Sequence, residues 1–414
     1  PRRCFPRTFC RRRNSLPGSI VHSPIRYLVQ CHRHHSQAPK LNFALAMSPS
    51  VIIVGSGLSG LCSALHLLDL EAVSADSITI LEARRRVGGR LRAHEGVDVG
   101  GAWCWKASHH EVPALAARFG IHAFDQYDTG LNVVDYGDSV MRTRQPLDSA
   151  KVRFSGGAAA IATCLETYLR HKGVSIHFDC TVQRVSMADD DAVRVEALKV
   201  MRRLSWEGNV VFLAIPSRLA SPPAMVWEPN PPPALLEAAV ATPTWMAQTT
   251  KVLITYARPY WRQQGMSGNA VSYGGGPIQQ LYDSCGSDGD EGPHALCGFI
   301  FGSDRSPLPP DDILRVQVMK QLERMFGSEA KALLSFSSHR WGDQALTSGN
   351  GGAAGGGHDS MGYPALRTPF GHRSAGGPPR VWLSAAETDG RHAGLMEGAL
   401  LSGRRVVEQV GRRT

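Results

Sequence analysis

The chain has 414 residues, 43% of them hydrophobic, enough to bury a large core and, by length, to form two or three domains. Its formal net charge of +9 sits in the leader: residues 1–46 hold eight Arg, one Lys and no acid, which leaves 36 basic against 36 acidic residues in the remainder. A neutral body without a basic stripe excludes a nucleic-acid partner, and nine scattered cysteines with no CxxC pair exclude a disulfide framework and point to a reducing compartment.

The leader, with Arg11-Arg12-Arg13, several Ser and no acids, has the composition of a transit peptide. It is equally open to a second explanation. The chain begins at Pro1, and Met47-Ser48-Pro49-Ser50 stands directly before the first apolar run, so Met47 is an alternative start. The compartment is therefore cytoplasmic, or mitochondrial or plastid if the leader is a transit peptide. Cys31, His32, His34 and His35 fall in this arm and are expected to hold no metal. No run of 18 apolar residues predicts a membrane span.

Val51-Ile52-Ile53-Val54 is an apolar run of the kind a buried parallel strand needs. Gly55-Ser56-Gly57-Leu58-Ser59-Gly60 follows at once, and Leu58, Leu61, Cys62, Leu65 and Leu68 recur at helical spacing. The glycines allow a tight turn, close approach of backbone to a pyrophosphate, and packing of helix on strand. Ser77 to Leu81 is predicted as a second strand, ending at Glu82, whose carboxylate can accept ribose hydroxyls. Strand, glycine turn, helix, strand and acid together predict a dinucleotide site.

Beyond Glu82 the chain runs Ala83-Arg84-Arg85-Arg86-Val87-Gly88-Gly89-Arg90, then Asp98-Val99-Gly100-Gly101-Ala102-Trp103. These two segments resemble the extended FAD motif and the ring-contacting glycine pair of flavin-containing amine oxidases. The resemblance places Gly55, Ser56, Gly57, Ser59, Gly60, Glu82, Ala83, Arg84, Gly89, Arg90, Gly101, Ala102 and Trp103 at the cofactor.

Residues 111–120 are predicted as an amphipathic helix closed by Gly120, and 124–141 as strands and turns. Only about fifty residues separate Trp103 from Phe154, so much of the family's helical cover over the substrate is missing. Phe154-Ser155-Gly156-Gly157, with a helix through Ile161, Leu165 and Leu169, resembles the return to the FAD domain. Ser175 to Phe178 is a predicted strand, and Val182 falls where the family lays backbone along adenine. A meander from Arg184 to Trp206 leads to the buried strand Val210–Leu213. Pro222-Pro223 and Pro231-Pro232-Pro233 bracket a turn-rich linker, followed by a helix over 234–240.

Thr249 to Tyr256 alternates like a strand, with Lys251 on the face of Leu253 and Thr255. Together with Pro259-Tyr260-Trp261-Arg262 it resembles the strand that carries the family's active-site lysine. Residues 267–302 are predicted as loop, then strand from Ala295; 311–326 as an amphipathic helix; and 349–357 as a glycine-rich loop. By resemblance Trp341 stands beside the flavin ring, and Tyr363 matches the first tyrosine of the family's aromatic cage. Gly362 replaces the cysteine that bonds the flavin in monoamine oxidases, which implies non-covalent FAD. Glu387 ends a strand running to the flavin. Leu395 and Met396 open the last helix, whose dipole can favour negative charge at the ring. Leu395 also occupies the position of the second cage tyrosine.

The resemblance implies an α/β fold: a Rossmann-type FAD/NAD(P)-binding domain with an interleaved α+β substrate domain. Its segments are a leader over 1–49, FAD-binding parts over 50–122, 153–233 and 362–414, and substrate parts over 123–152 and 234–361. The implied activity is FAD-dependent oxidation of a small-molecule amine with O2 as acceptor, Lys251, Trp341 and Tyr363 forming the catalytic wall. A homodimer is one assembly to test. The rivals are a flavin desaturase or L-amino-acid oxidase on the same fold, and a flavin-binding interaction protein with little turnover.

Overall fold

Successive strand side chains point to opposite faces, so Val51-Ile52-Ile53-Val54 must be covered on both sides. In the computed structural model, which describes residues 50–188, 192–287, 292–302, 308–349, 361–371 and 377–413, both covers are present. The Val51–Val54 strand is central in a five-stranded parallel sheet whose order is 175–177, 78–81, 51–54, 210–213, 381–383. Val51 and Ile53 face a core built from the helices Leu58–Asp69, Ala159–Lys172 and Met396–Arg413. Ile52 and Val54 face the other way, toward Val193, Val195 and Trp227. Those residues belong to a four-stranded sheet, 202–208, 193–199, 181–187, 226–228.

A seven-stranded sheet carries the remainder of the site, in the order 333–340, 249–256, 294–301, 280–283, 266–272, 131–135, 140–143. The helix Asp311–Phe326 lies on one face of it, Leu314, Val318 and Leu322 packing with Val252 and Ile254. Alternation then sends Lys251 and Leu253 to the opposite face, and Leu253 meets Val97 and Val99 there.

Several expectations need revision. The second strand starts at Ile78, because Ala75–Ser77 forms a 3-10 turn. The proline-rich linker contains a strand, Val226–Glu228, paired parallel to Arg184–Ser186, and Trp227 is buried there. Residues 267–302 hold two strands ahead of the expected one, Met266–Ser272 and Gln280–Asp283. The first was hidden by its serine, glycine and asparagine, which dilute the apolar alternation, and the second is only four residues long, Gln280-Leu281-Tyr282-Asp283. The helix Pro233–Ala241 buries Leu235, Ala238 and Ala239 in the core beneath Ile52 and Val54. The final helix runs unbroken from Met396 to Arg413. Of the glycine-rich loop at 349–357, all but Gly349 lies outside the described residues, as does the leader. Among the described residues no helix is long and apolar enough to cross a membrane.

Candidate active site

A cavity of about 410 Å³ runs from the glycine turn to the seven-stranded sheet. At its nucleotide end the turn is held by Glu82. One carboxylate oxygen accepts the Ser56 N–H at 2.9 Å and the Ser56 hydroxyl at 2.8 Å, while the other accepts the Arg84 N–H at 2.8 Å. Glu82 also lines the cavity, and three accepted bonds leave a carboxylate with capacity for a ribose hydroxyl. Gly60 has no room for a side chain, since a Cβ there would lie 2.0 Å from the Gly55 carbonyl oxygen. At Gly57 a Cβ meets nothing within 4 Å and would project into the cavity. The first of these glycines lets helix approach strand; the second keeps space free for a ligand.

Gly88 and Gly89, with φ of 92° and 56°, bring the loop after Glu82 back beside Gly57. Arg86 staples that loop through the carbonyls of Val87, Gly89 and Leu91. Arg84 donates to Thr347 at 2.6 Å, and Arg90 pairs with Glu387 at 2.7 Å. Glu387 is 1% exposed, and neither of its oxygens receives a well-directed hydrogen bond. A buried carboxylate left so poorly satisfied fits a hydroxylated ligand beside it. Together with the free space at Gly57, this makes the residues present fit a flavin dinucleotide. Ser59 donates to the Ser384 carbonyl oxygen, tying the turn to the segment that follows the last sheet strand. Val182 lines the same end beside Cys180 and Thr181.

At the other end stands Lys251, 5% exposed, with its Nζ 2.6 Å from the Gly100 carbonyl oxygen. It lies 5.1 Å from the centre of the Trp103 ring and 4.7 Å from that of Phe299. Among the described residues no carboxylate reaches salt-bridge distance of it. Burial pushes its pKa below the ordinary lysine value, and Arg153 adds to that, while Cys297 and Asp98 oppose it. Asp98 accepts the Ala158 N–H at 2.9 Å, and burial raises its own pKa. Trp103 donates to Gln126 at 2.7 Å. Trp341 is buried along the cavity and donates to the Val99 carbonyl at 2.9 Å. His339 packs edge-on against Trp341; burial, helped by Arg92 and Arg86, drives its pKa down to about 4 and keeps it neutral at pH 7.

Gly55, Gly57, Ser59, Glu82, Ala83, Arg84, Gly89, Arg90, Gly101, Ala102, Trp103, Val182, Lys251, Trp341, Leu395 and Met396 all line this one cavity. Ser56, Gly60 and Glu387 are not among the lining residues, though each is adjacent in sequence to one that is. Gly362 has φ of 73° and its N–H is tied to the Glu387 carbonyl, and Tyr363 after it is 37% exposed. Tyr363 is not among the residues that line the cavity. Trp245, Trp105 and Phe299 line the cavity instead, and Trp245 packs against the place where Gly394 lacks a side chain. A second buried lysine, Lys151, pairs with Asp148 at 2.5 Å and lies 4.7 Å from the centre of the Trp103 ring. None of these four carries a local motif. Phe299 is recognisable only once Lys251 is known to be its partner across the sheet.

The family described as flavin containing amine oxidoreductase matches residues 58–153 and 148–411. The chain belongs to that family. A probable flavin-containing monoamine oxidase A of Dictyostelium discoideum is 29% identical over 211 residues, 50% of this chain and 42% of the relative. An L-amino acid dehydrogenase of Synechocystis is 26% identical over 201 residues, 48% of this chain and 40% of the relative. The aligned stretch thus spans less than half of these curated relatives. Among solved structures, cyclohexylamine oxidase from Brevibacterium oxydans is similar in fold, with a TM-score of 0.72 at 19% identity, covering 88% of this chain and 99% of that one. For a flavin amine oxidoreductase, Glu82 and the buried lysine strand fall within the matched residues, while the glycine turn Gly55–Gly60 straddles their start at residue 58.

Proposed function

We propose that this chain binds FAD non-covalently and oxidises an amine to an imine, which water converts to an aldehyde and ammonia. The observation that carries the reading is Lys251, buried at the end of the dinucleotide cavity with no carboxylate among the described residues at salt-bridge distance. When bound, FAD supplies the two-electron acceptor, and O2 takes the pair on to give H2O2. Everything else falls to the chain. Glu82 and the Gly55–Gly60 turn hold the nucleotide, and Arg90 with Glu387 orients the segment between nucleotide and ring. Lys251, favoured in its neutral form by burial, keeps one N–H on Gly100 and offers its lone pair to a water or to the proton shed by the substrate amine. Trp103, Trp341 and Phe299 exclude bulk water around it. Non-covalent binding is supported by Gly362 at the attachment position, and by Cys180, the cysteine among the lining residues, lying beside Thr181 and Val182 at the end assigned to adenine.

The similarity to an L-amino acid dehydrogenase favours a second reading, oxidation of an amino acid. A substrate carboxylate calls for a free guanidinium, and the arginines lining the cavity, Arg84 and Arg90, are engaged by Thr347 and Glu387. That weighs toward an amine without a carboxylate.

The test is a visible spectrum of the purified protein, followed by anaerobic mixing with primary amines, polyamines and amino acids. Flavin bleaching by an amine, slowed about 100-fold or more in Lys251→Met, is the expected result. Bleaching by amino acids alone establishes the second reading. A yellow protein that no donor bleaches, or a colourless one that FAD cannot reconstitute, overturns both.

A further inference from the structure

The strands Val193–Lys199 and Arg202–Gly208 form a hairpin at the edge of the four-stranded sheet, with Lys199 paired to Arg202 and Val200-Met201 as the two-residue turn. Both turn residues have positive φ, 43° at Val200 and 68° at Met201. Two-residue hairpin turns of this kind take Asn-Gly or Gly-Gly, because a Cβ crowds the backbone in the left-handed region, and a β-branched residue there is an outlier. Local folding therefore gains nothing from Val-Met. Nor does packing, since Val200 is 71% exposed and Met201 90%. The most protruding point of the hairpin is thus apolar, strained and unburied, which calls for a reason outside the fold.

Charge around the tip supplies one. Lys199, Arg202 and Arg203 flank it, residues 197–204 contain no acid, and these three cations form no ion pair among the described residues. Further along, Arg194 and Glu207 neutralise each other at 2.7 Å, so the uncompensated charge is confined to the tip. Leu204 lies behind it, one register step from Arg203, and is half-exposed.

We propose that this hairpin tip docks on an anionic phospholipid surface, Val200 and Met201 entering the boundary between headgroups and acyl chains while Lys199, Arg202 and Arg203 meet the phosphates and anionic headgroups. Apolar side chains at the outermost point distinguish this partner from nucleic acid, which would engage the cations and leave Val200 and Met201 without a role. The strain is then the cost of presenting apolar side chains where Asn-Gly would fold better. The inference is independent of the flavin reading.

The test uses the full chain and vesicles of phosphatidylcholine with or without phosphatidylserine. Since the leader is itself basic, the readout is the difference between parent and variant, together with an environment-sensitive fluorophore on Met201→Cys. Val200→Asn with Met201→Gly is expected to hold or raise Tm, by relieving the turn, and to weaken partitioning onto phosphatidylserine vesicles about tenfold or more. Arg202→Gln with Arg203→Gln should weaken it about fivefold per charge, and less at high salt. The fluorophore should shift to the blue on phosphatidylserine vesicles and not on phosphatidylcholine alone. Unchanged partitioning of the Asn-Gly variant, an unmoved fluorophore, or a Tm lowered by that substitution overturns the proposal. So does binding of a DNA duplex in preference to vesicles that the Asn-Gly variant retains.

Discussion

Lys251→Met should make the protein more stable at neutral pH, and less so as the pH rises. The buried Lys251 amine has one carbonyl, at 2.6 Å, and two ring faces around it, so charging it in the folded state is costly. Exchanging a buried ionic group for an apolar side chain of similar volume is neutral or stabilising by about 1–4 kcal/mol. Against that gain, the Gly100 oxygen loses its donor, at about 1–3 kcal/mol. The net expectation is a gain of about 1 kcal/mol, a few degrees in Tm. Its pH dependence fixes the cause. A lysine whose folded pKa is depressed destabilises the folded state fully at low pH, and this cost disappears as the pH rises from the folded pKa to the ordinary value of 10.5. The advantage of methionine is therefore largest at neutral pH and shrinks toward about pH 10. Urea denaturation of the flavin-free protein, followed by tryptophan fluorescence across that range, measures it. A variant less stable than the parent by ~2 kcal/mol, with a pH-independent difference, would refute the picture of an uncompensated buried lysine.

Two glycines of the turn should fail in different ways. Gly60→Ala forces the helix off the strand and should both destabilise the protein and yield it colourless, whereas Gly57→Ala should melt like the parent and bind FAD poorly, as calorimetry and flavin titration would show. Asp135, fully buried, accepts from Arg324 at 3.0 and 2.6 Å, from Gly137 at 3.0 Å and from Ser272 at 2.8 Å. Burial alone would raise its pKa, but these donors together hold it below the ordinary carboxylate value. Asp135→Asn should cost about 3 kcal/mol at neutral pH in chemical denaturation. That difference should persist down to about pH 4 and vanish as the pH falls through the lowered folded pKa. Glu397, in the first turn of the last helix, accepts the N–H groups of His110, Glu111 and Val112 at 2.8, 2.8 and 3.1 Å. Glu397→Ala orphans them and should cost about 3 kcal/mol, with faster hydrogen exchange confined first to the start of the Glu111–Arg118 helix.

Much of the nucleotide half is legible in the sequence, because its constraints are local. A glycine with no room for Cβ, a strand of four apolar residues and a carboxylate at a strand end are set by neighbours a few residues away, and Gly60 and Glu82 were recognisable on those grounds. The lysine strand was legible for a similar reason, since alternation alone puts Lys251 and Val252 on opposite faces. The strands at 226–228, 266–272 and 280–283 were not, because their stability comes from sheet partners distant in sequence and not from their own composition.

The catalytic end shows the division most clearly. By periodicity the sequence alone determined that Lys251 shares a strand face with Leu253 and Thr255, and its place beside a dinucleotide site came from the resemblance of that strand to the family's lysine strand. Only the tertiary structure decided what surrounds that lysine. Cross-strand register sets Phe299 beside it, Trp245 fills the space at Gly394, and Tyr363 is left off the cavity lining. Register and chain direction depend on the sum of many weak contacts, each small against thermal energy and none written in a local motif.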